Sequence, residues 1–354
     1  MSKERVSSQN TATEVFPAID ILKFFFAILI MCLHGDLFDG SLYGLYFEKL
    51  VVRLAVPFFF IASGFFYGRK IYAKNNLESI TKNYISRLAM KLLIFEPISI
   101  LLNIAQSLFS TNQSVLVILL KAVQNILFYP RGALWYIQSI IVALIILLPF
   151  IKKGREDLAL IIGLLLYPFA LLCNRYYFLC EGTAVEYVVA IYMRLFISAR
   201  NGIFIGLLYV SMGVFMAKKW DLLKQRETLF FILMPAASLF YILEVVFTNQ
   251  KPGMDDNALY ITHLVLIPTL FLLAGSKKWS GLNNHVNTTL LRNLSTSIYL
   301  LHSPVLQIVR LSSEHLLHVS LQPWHVTGIA GIVVACICFS VYQKKWKLLY
   351  NWIK

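Results

Sequence analysis

The chain has 354 residues, of which 58% are hydrophobic and 14% charged, and its mean hydropathy is +0.69. A soluble domain carries roughly 25% charged residues, so this chain lacks the polar coat that a water-soluble core of its length needs, and a bilayer is the implied solvent. The net charge of +14 does not point to nucleic acid as a partner, because the basic residues lie between apolar stretches, where they set topology and meet anionic lipid.

In chain order, residues 1–15 form a polar tail, expected on the cytoplasmic side. The apolar run from Phe16 to Leu33 has no small-residue cleavage site after it, so no cleavable signal is expected. A stretch of about 20 apolar residues crosses the hydrocarbon core as a helix. Such stretches occur at 16–36, 50–68, 88–109, 133–151, 158–174, 202–217, 229–247, 258–274, 295–311 and 325–343. The run 114–129 is interrupted by Lys121, Gln124 and Asn125 and reads as an interfacial or re-entrant helix before Pro130. The predicted fold class is all-α, a polytopic integral membrane helix bundle of about 10 transmembrane helices, with a second cytoplasmic tail at 344–354.

Charge tests this order. With the N-terminus inside, the inner segments hold Arg69, Lys70, Lys74, Lys82, Arg87 and Lys91, then Lys152, Lys153 and Arg155, and further clusters through Lys354. The outer segments hold Lys49, Lys121, Arg131, Arg175, Arg194, Arg200 and Lys251. The bias is about three to one, as the positive-inside rule requires. A multi-pass protein of the cell (plasma) membrane is expected, with both termini cytoplasmic. The connections are short, so no second soluble domain is expected, and the largest outer segment is 175–201. The five cysteines show no CxxC or Cys/His spacing. They read as small apolar fillers, and no metal is expected.

Polar groups within a span are expensive, about 2.5–3.5 kcal/mol for a mid-span lysine on insertion scales, and are functional candidates for that reason. The first span holds Asp20, Lys23 and His34. Eleven residues make close to three helical turns, so Lys23 and His34 share one side of the helix, about 16 Å apart along its axis. Asp20 and Lys23, at i and i+3, can pair. Two readings stay open. The cation and the imidazole could each mark a membrane interface, or they could form a polar stripe facing a cavity, where an imidazole that titrates near neutrality can take a proton from a hydroxyl. Arg53, Pro57, Ser63 and Gly64 mark the second span, in RLAVPFFFIASGFF. Trp135 and Tyr136 sit at the edge of the fourth, where an aromatic belt accounts for them. Ser297, Tyr299, His302 and Ser303 give the ninth a polar side, and Glu96 and Glu244 are further intramembrane carboxylates.

Together these segments resemble the acyltransferase family 3 membrane proteins. That family's first helix carries a basic residue, ten intervening residues and a histidine, which Lys23 and His34 match, with lysine in place of the commoner arginine. VPFFFIASGFF is similar to the family's second-helix signature, Trp135-Tyr136 to its Leu-Trp-Tyr/Phe motif and STSIYLLH to its late Ser-x-x-Ile-Tyr-Leu-x-His helix. The resemblance runs over 16–343, and RLAVPFFFIASGFFYGRK is most similar to the membrane part of the VanT-type serine racemases, whose following racemase domain this chain is expected to lack.

The resemblance implies transfer of an acyl group, usually acetyl from acetyl-CoA, to a hydroxyl of an envelope glycan or lipid-linked sugar. His34 would be the catalytic acid/base and Lys23 the charge on the donor side. The basic segment from Arg69 would take the CoA phosphates, with Arg87 and Lys91, in YISRLAMK, as a loosened Arg-x-x-Arg element. Asp20, Arg53, Ser63, Trp135, Tyr299 and His302 would line the cavity. The alternatives are a transporter of a small serine-like solute and a structural membrane partner. The paired Lys23 and His34 argue against the latter, and the absence of an internal repeat weakens a transporter of inverted halves.

Overall fold

The computed structural model describes residues 14–74, 76–110 and 114–343. The expected tails, 1–15 and 344–354, lie outside the described residues apart from Glu14 and Val15. Among the described residues the chain is α-helical with no strand. The helices are α1 (Pro17–His34), α2 (Leu42–Leu50), α3 (Ala55–Ala73), α4 (Leu77–Ser110), α5 (Val115–Phe128), α6 (Leu134–Lys152) and α7 (Glu156–Leu172). They continue with α8 (Ala184–Phe196), α9 (Leu207–Lys218), α10 (Trp220–Lys224), α11 (Glu227–Asn249), α12 (His263–Ala274), α13 (Thr288–Leu311) and α14 (Pro323–Tyr342).

Each of the ten stretches expected from hydropathy overlaps one of these helices. Six segments are long and apolar enough to cross a bilayer: Pro17–His34, Leu42–Ala73, Leu77–Leu108, Leu134–Lys152, Glu227–Asn249 and Pro323–Tyr342. The chain is thus a multi-pass membrane protein, with the expectation of about ten crossings met in part. The other four stretches fold as shorter or more polar helices: α7, the segment Gly202–Lys218, α12 and α13. The run at 114–129 forms α5, whose 14 residues extend only about 21 Å at 1.5 Å per residue, against a hydrocarbon core of about 30 Å.

Burial ranks the helices. In the apolar window of Leu42–Ala73 61% of residues are buried, against 17% for α11. α3 is therefore central and α11 peripheral, and α11 presents Leu239, Phe240, Leu243 and Phe247 outward, as a lipid-facing helix must. Phe58, Phe60, Ile61, Phe65 and Tyr67 of α3 are fully buried. α3 and α9 meet backbone to backbone. A Cβ on Gly64 would stand 2.1 Å from the Val210 carbonyl oxygen, and one on Gly213 would stand 2.2 Å from that of Ile61. Small residues allow such contact where no hydrophobic force drives helices together.

α12 begins late because residues 250–262 form an ordered loop. Glu244 of α11 accepts from the Ile261 and Thr262 amides at 2.6 and 2.9 Å, and from the Thr262 and Tyr176 hydroxyls. A carboxylate at a helix N-terminus satisfies free amides and meets the positive end of the helix dipole. Glu244 is therefore a structural clamp.

Candidate functional site

α1 starts with Pro17 in its first turn and stops at Gly35, where a Cβ would meet the Thr327 hydroxyl at 2.1 Å. Its C-terminal end is tied down: Arg310 of α13 donates to the His34 carbonyl at 2.9 Å and to Asp36 at 2.6 Å, and Thr327 of α14 donates to the Gly35 carbonyl at 3.1 Å. The orientation of the His34 side chain thus rests on three elements.

Two chambers open along the Lys23 and His34 stripe. The Lys23 chamber has a volume of about 230 Å³ and brings together Lys23, Lys70, Arg87 and Lys91 with Ser63, Ser295 and Thr296. Four cations around one cavity form a focused positive field, suited to a polyanion. The His34 chamber, about 330 Å³, is lined by His34, Arg53, Tyr129, Trp135, Arg200 and Asp256, with apolar walls from Ile30, Leu33, Val56 and Leu259.

Tyr299 of α13 lines both chambers. Its hydroxyl donates to the Ala133 carbonyl at 2.7 Å, and its ring lies 5.3 Å from Tyr136 and 5.9 Å from Phe59. Tyr136 and Ser63 share a hydrogen bond of 2.9 Å. The partition between the chambers is therefore one aromatic layer, not a thick plug. His302, one turn along α13, is fully buried, and its ring stacks on His34 at 5.2 Å and 29°.

The far wall of the His34 chamber is a charge cluster. Asp256 receives Arg53 at 2.7 Å and Arg200 at 2.6 Å, Arg53 also pairs with Glu48, and Arg200 pairs with Asp255 at 3.0 Å. Arg200 lies over the stacked rings of Trp135 and Tyr129, at 5.2 and 5.5 Å. Asn174 holds the loop by accepting the Leu259 amide at 2.9 Å, and its own carbonyl accepts the Met254 amide at 2.9 Å. Burial alone would raise the Asp256 carboxyl, but Arg200, Arg53 and Asn174 outweigh it and hold the group below the usual carboxylate range. Asp256 is thus an ionised bridge between two guanidiniums.

Most residues singled out from sequence line these chambers: Lys23, Ser63, Arg87, Lys91 and Tyr299 on one side, and His34, Arg53, Trp135 and again Tyr299 on the other. His302 stands behind His34. Two lie elsewhere. Asp20 is buried beside Arg292 of α13 at 3.9 Å, and Arg69 pairs with Glu14 at 3.1 Å. Lys70, next to Arg69 in sequence, holds the chamber position instead, because a one-residue step turns a helical side chain by about 100°. Sequence reasoning missed Arg200 and Asp256. The one available signal was the acidic pair Asp255-Asp256 in a short outer segment whose one cation is Lys251. Glu96 sits in a small polar furrow between α4 and α5 with Asn103, Lys121, Asn125 and Arg131. Among the described residues no group of three His, Cys, Asp or Glu side chains could hold a metal ion.

The fold and the paired chambers define a multi-pass membrane protein with a built internal site. The acyltransferase domain model matches residues 16–343, and the chain belongs to that acyltransferase family. Two proteins of Enterococcus faecalis, each named amino-acid racemase, are similar to it. One is 24% identical over 343 residues, 92% of this chain and 46% of that protein. The other is 28% identical over 210 residues, 57% of this chain and 28% of that protein. The chain thus spans less than half the length of these curated relatives. No solved structure matches.

Proposed function

We propose that this protein transfers acetyl from acetyl-CoA to a hydroxyl of an envelope glycan or lipid-linked saccharide, acting in the plasma membrane as one domain, 16–343, between cytoplasmic tails. The observation that carries this reading is the stripe of α1, which puts Lys23 in a four-cation chamber and His34 in a second chamber one aromatic layer away. Lys23, Lys70, Arg87 and Lys91 suit the phosphates of the donor and make the Lys23 chamber its cytoplasmic entrance. Arg69 contributes to the basic rim. Asp20, paired with Arg292, balances charge beneath that chamber.

The acceptor enters the His34 chamber. The His34 imidazole takes the proton of the acceptor hydroxyl as the oxygen attacks the thioester carbonyl carbon. The C–O bond forms, the tetrahedral adduct collapses, the C–S bond breaks and the leaving thiolate takes the proton that His34 accepted, which returns the imidazole to its neutral form. The long pantetheine arm lets the thioester reach His34 when Tyr299 and Tyr136 part. Arg53 and Arg200 supply positive charge for the developing oxyanion. Trp135, Ser63 and His302 shape the walls.

The test is mass spectrometry of envelope glycans and lipids from cells carrying wild type, His34→Ala or no gene. An acetyl ester present only with wild type supports the reading, and an ester that persists in His34→Ala refutes it. The same two chambers, read as opposed vestibules, favour a second reading: passage of a small amino acid, in keeping with relatives named amino-acid racemase. Uptake of labelled serine into proteoliposomes, with no transfer of label from acetyl-CoA, is the outcome that selects it.

A further inference from the structure

His302 stands behind His34 and lines neither chamber directly, yet its geometry is specific. Its Nδ1 lies 3.0 Å from the Ile298 carbonyl oxygen. A carbonyl only accepts, so Nδ1 carries the proton and Nε2 the lone pair. That Nε2 is buried with no hydrogen-bond partner among the described residues, in a side chain that is 0% exposed. Charging this ring would place an unpartnered N–H and a full charge in a dry site, which is costly. His302 is thereby held neutral in one tautomer. Its face is stacked on His34 at 5.2 Å and 29°, and the Tyr299 ring meets it edge-on at 5.9 Å and 63°.

We propose that His302 is a positioning residue for His34, a neutral aromatic plate that fixes the His34 ring and carries its transient positive charge. The inference rests on the acid/base reading of His34 given above. A neutral ring can lie against a transiently charged one, whereas two charged rings at this distance would repel. The other charged groups about His34 are accounted for on each element. Arg310 of α13 is tied to the His34 carbonyl and Asp36, and Arg53, Arg200 and Asp256 form the opposite wall. α14 contributes the Thr327 hydroxyl, on Gly35, and carries His325 two residues before it, its ring against that of Trp324. None of these takes the place of the plate.

The test uses the full chain in membrane vesicles with [14C]acetyl-CoA, following label into the envelope fraction, together with diethyl pyrocarbonate modification of His34 by mass spectrometry across pH 5–9. His302→Phe keeps a neutral plate, and His302→Ala removes it. In His302→Ala the rate should fall about tenfold, less than the 10²–10⁴ expected for loss of the general base itself, with the KM for acetyl-CoA changed less than about twofold. The pH midpoint of His34 modification should shift as well. His302→Phe should recover most of the rate and restore the midpoint. The inference is overturned if His302→Ala leaves rate and midpoint as in wild type, or if His302→Phe is as impaired as His302→Ala while His302→Gln is active. Loss of the function reading is seen separately: His34→Ala would then transfer label like wild type, whatever the modification midpoints do.

Discussion

Lys23 and His34 lie on one stripe of α1 yet open into different chambers, with Tyr299 as the wall common to both. The two side chains are thus held apart at a spacing fixed by the helix rise, about 16 Å; under the proposed function this separates donor charge from proton acceptor by a single side-chain layer.

Lys23→Arg keeps the charge and should retain most activity. Lys23→Ala should raise the KM for acetyl-CoA about tenfold with a smaller change in kcat, the signature of lost binding. His34→Ala should do the reverse, lowering kcat by about 10²–10⁴ with KM held. Steady-state kinetics on label transfer separates the two, and equal behaviour of both Lys23 variants would dismiss the charge.

Tyr299→Phe removes the donor to the Ala133 carbonyl and should lower stability by about 1 kcal/mol while transfer continues. Tyr299→Ala opens the layer to water. Thiol released from acetyl-CoA, read with Ellman's reagent, should then exceed acetyl delivered to acceptor. A one-to-one ratio in that variant would mean the layer does not exclude water.

Asp256→Asn leaves two guanidiniums facing each other. Because these side chains are 12–27% exposed, the expected loss is about 1–3 kcal/mol, below that for a fully buried pair. The pH dependence follows from the depressed carboxyl. A group whose folded pKa lies below its unfolded value of about 4 contributes stability that is complete above that value and is lost as pH falls through the folded one. Thermal unfolding in detergent should show wild type losing this increment only in acid, and the gap between wild type and Asp256→Asn closing there. A gap that widens on acidification would contradict the assignment.

Gly64→Ala would press a methyl onto the Val210 carbonyl, and overpacking of this kind costs about 1–3 kcal/mol. Gly328→Ala, where nothing lies within 4 Å, is the matched control. The first should lower Tm in detergent and the second should not.

Orientation is tested by single cysteines at Ser79 and Glu181, both exposed, in a chain whose five cysteines are replaced. A membrane-impermeant maleimide added to intact cells should label the second and spare the first. Labelling of both from outside would remove the proposed topology.

Hydropathy located every helix that builds the chambers, because an α-helix in lipid must be both apolar and continuous. Lys23, His34 and Tyr299 were legible because each interrupts an apolar run. Asp256 and Arg200 were not. They meet across 56 positions, on segments that read as loops, and nothing local reveals a pairing of that kind. Arg69 was assigned over Lys70 because charge density in a sequence does not say which of two neighbours turns inward. The number of crossings was legible only in part. α13 carries Arg292, Arg310 and a row of hydroxyls, so the helix that forms the chamber wall is also the one with the weakest apolar signal.

The glycine contacts between α3 and α9 have a mechanical consequence. Two backbones interlocked at Gly64 and Gly213 cannot slide past each other without a clash, so they behave as a single keel. α6 is locked to the same keel, since a Cβ on Gly202 or Gly206 would meet the Ser139 carbonyl oxygen at 2.7 or 2.8 Å, so under the proposed function it is the Tyr136 and Tyr299 side chains that must turn to admit a thioester. Ser63 and Phe59 stand on that keel, while His34 and His302 stand on α1 and α13, which Arg310 ties to each other.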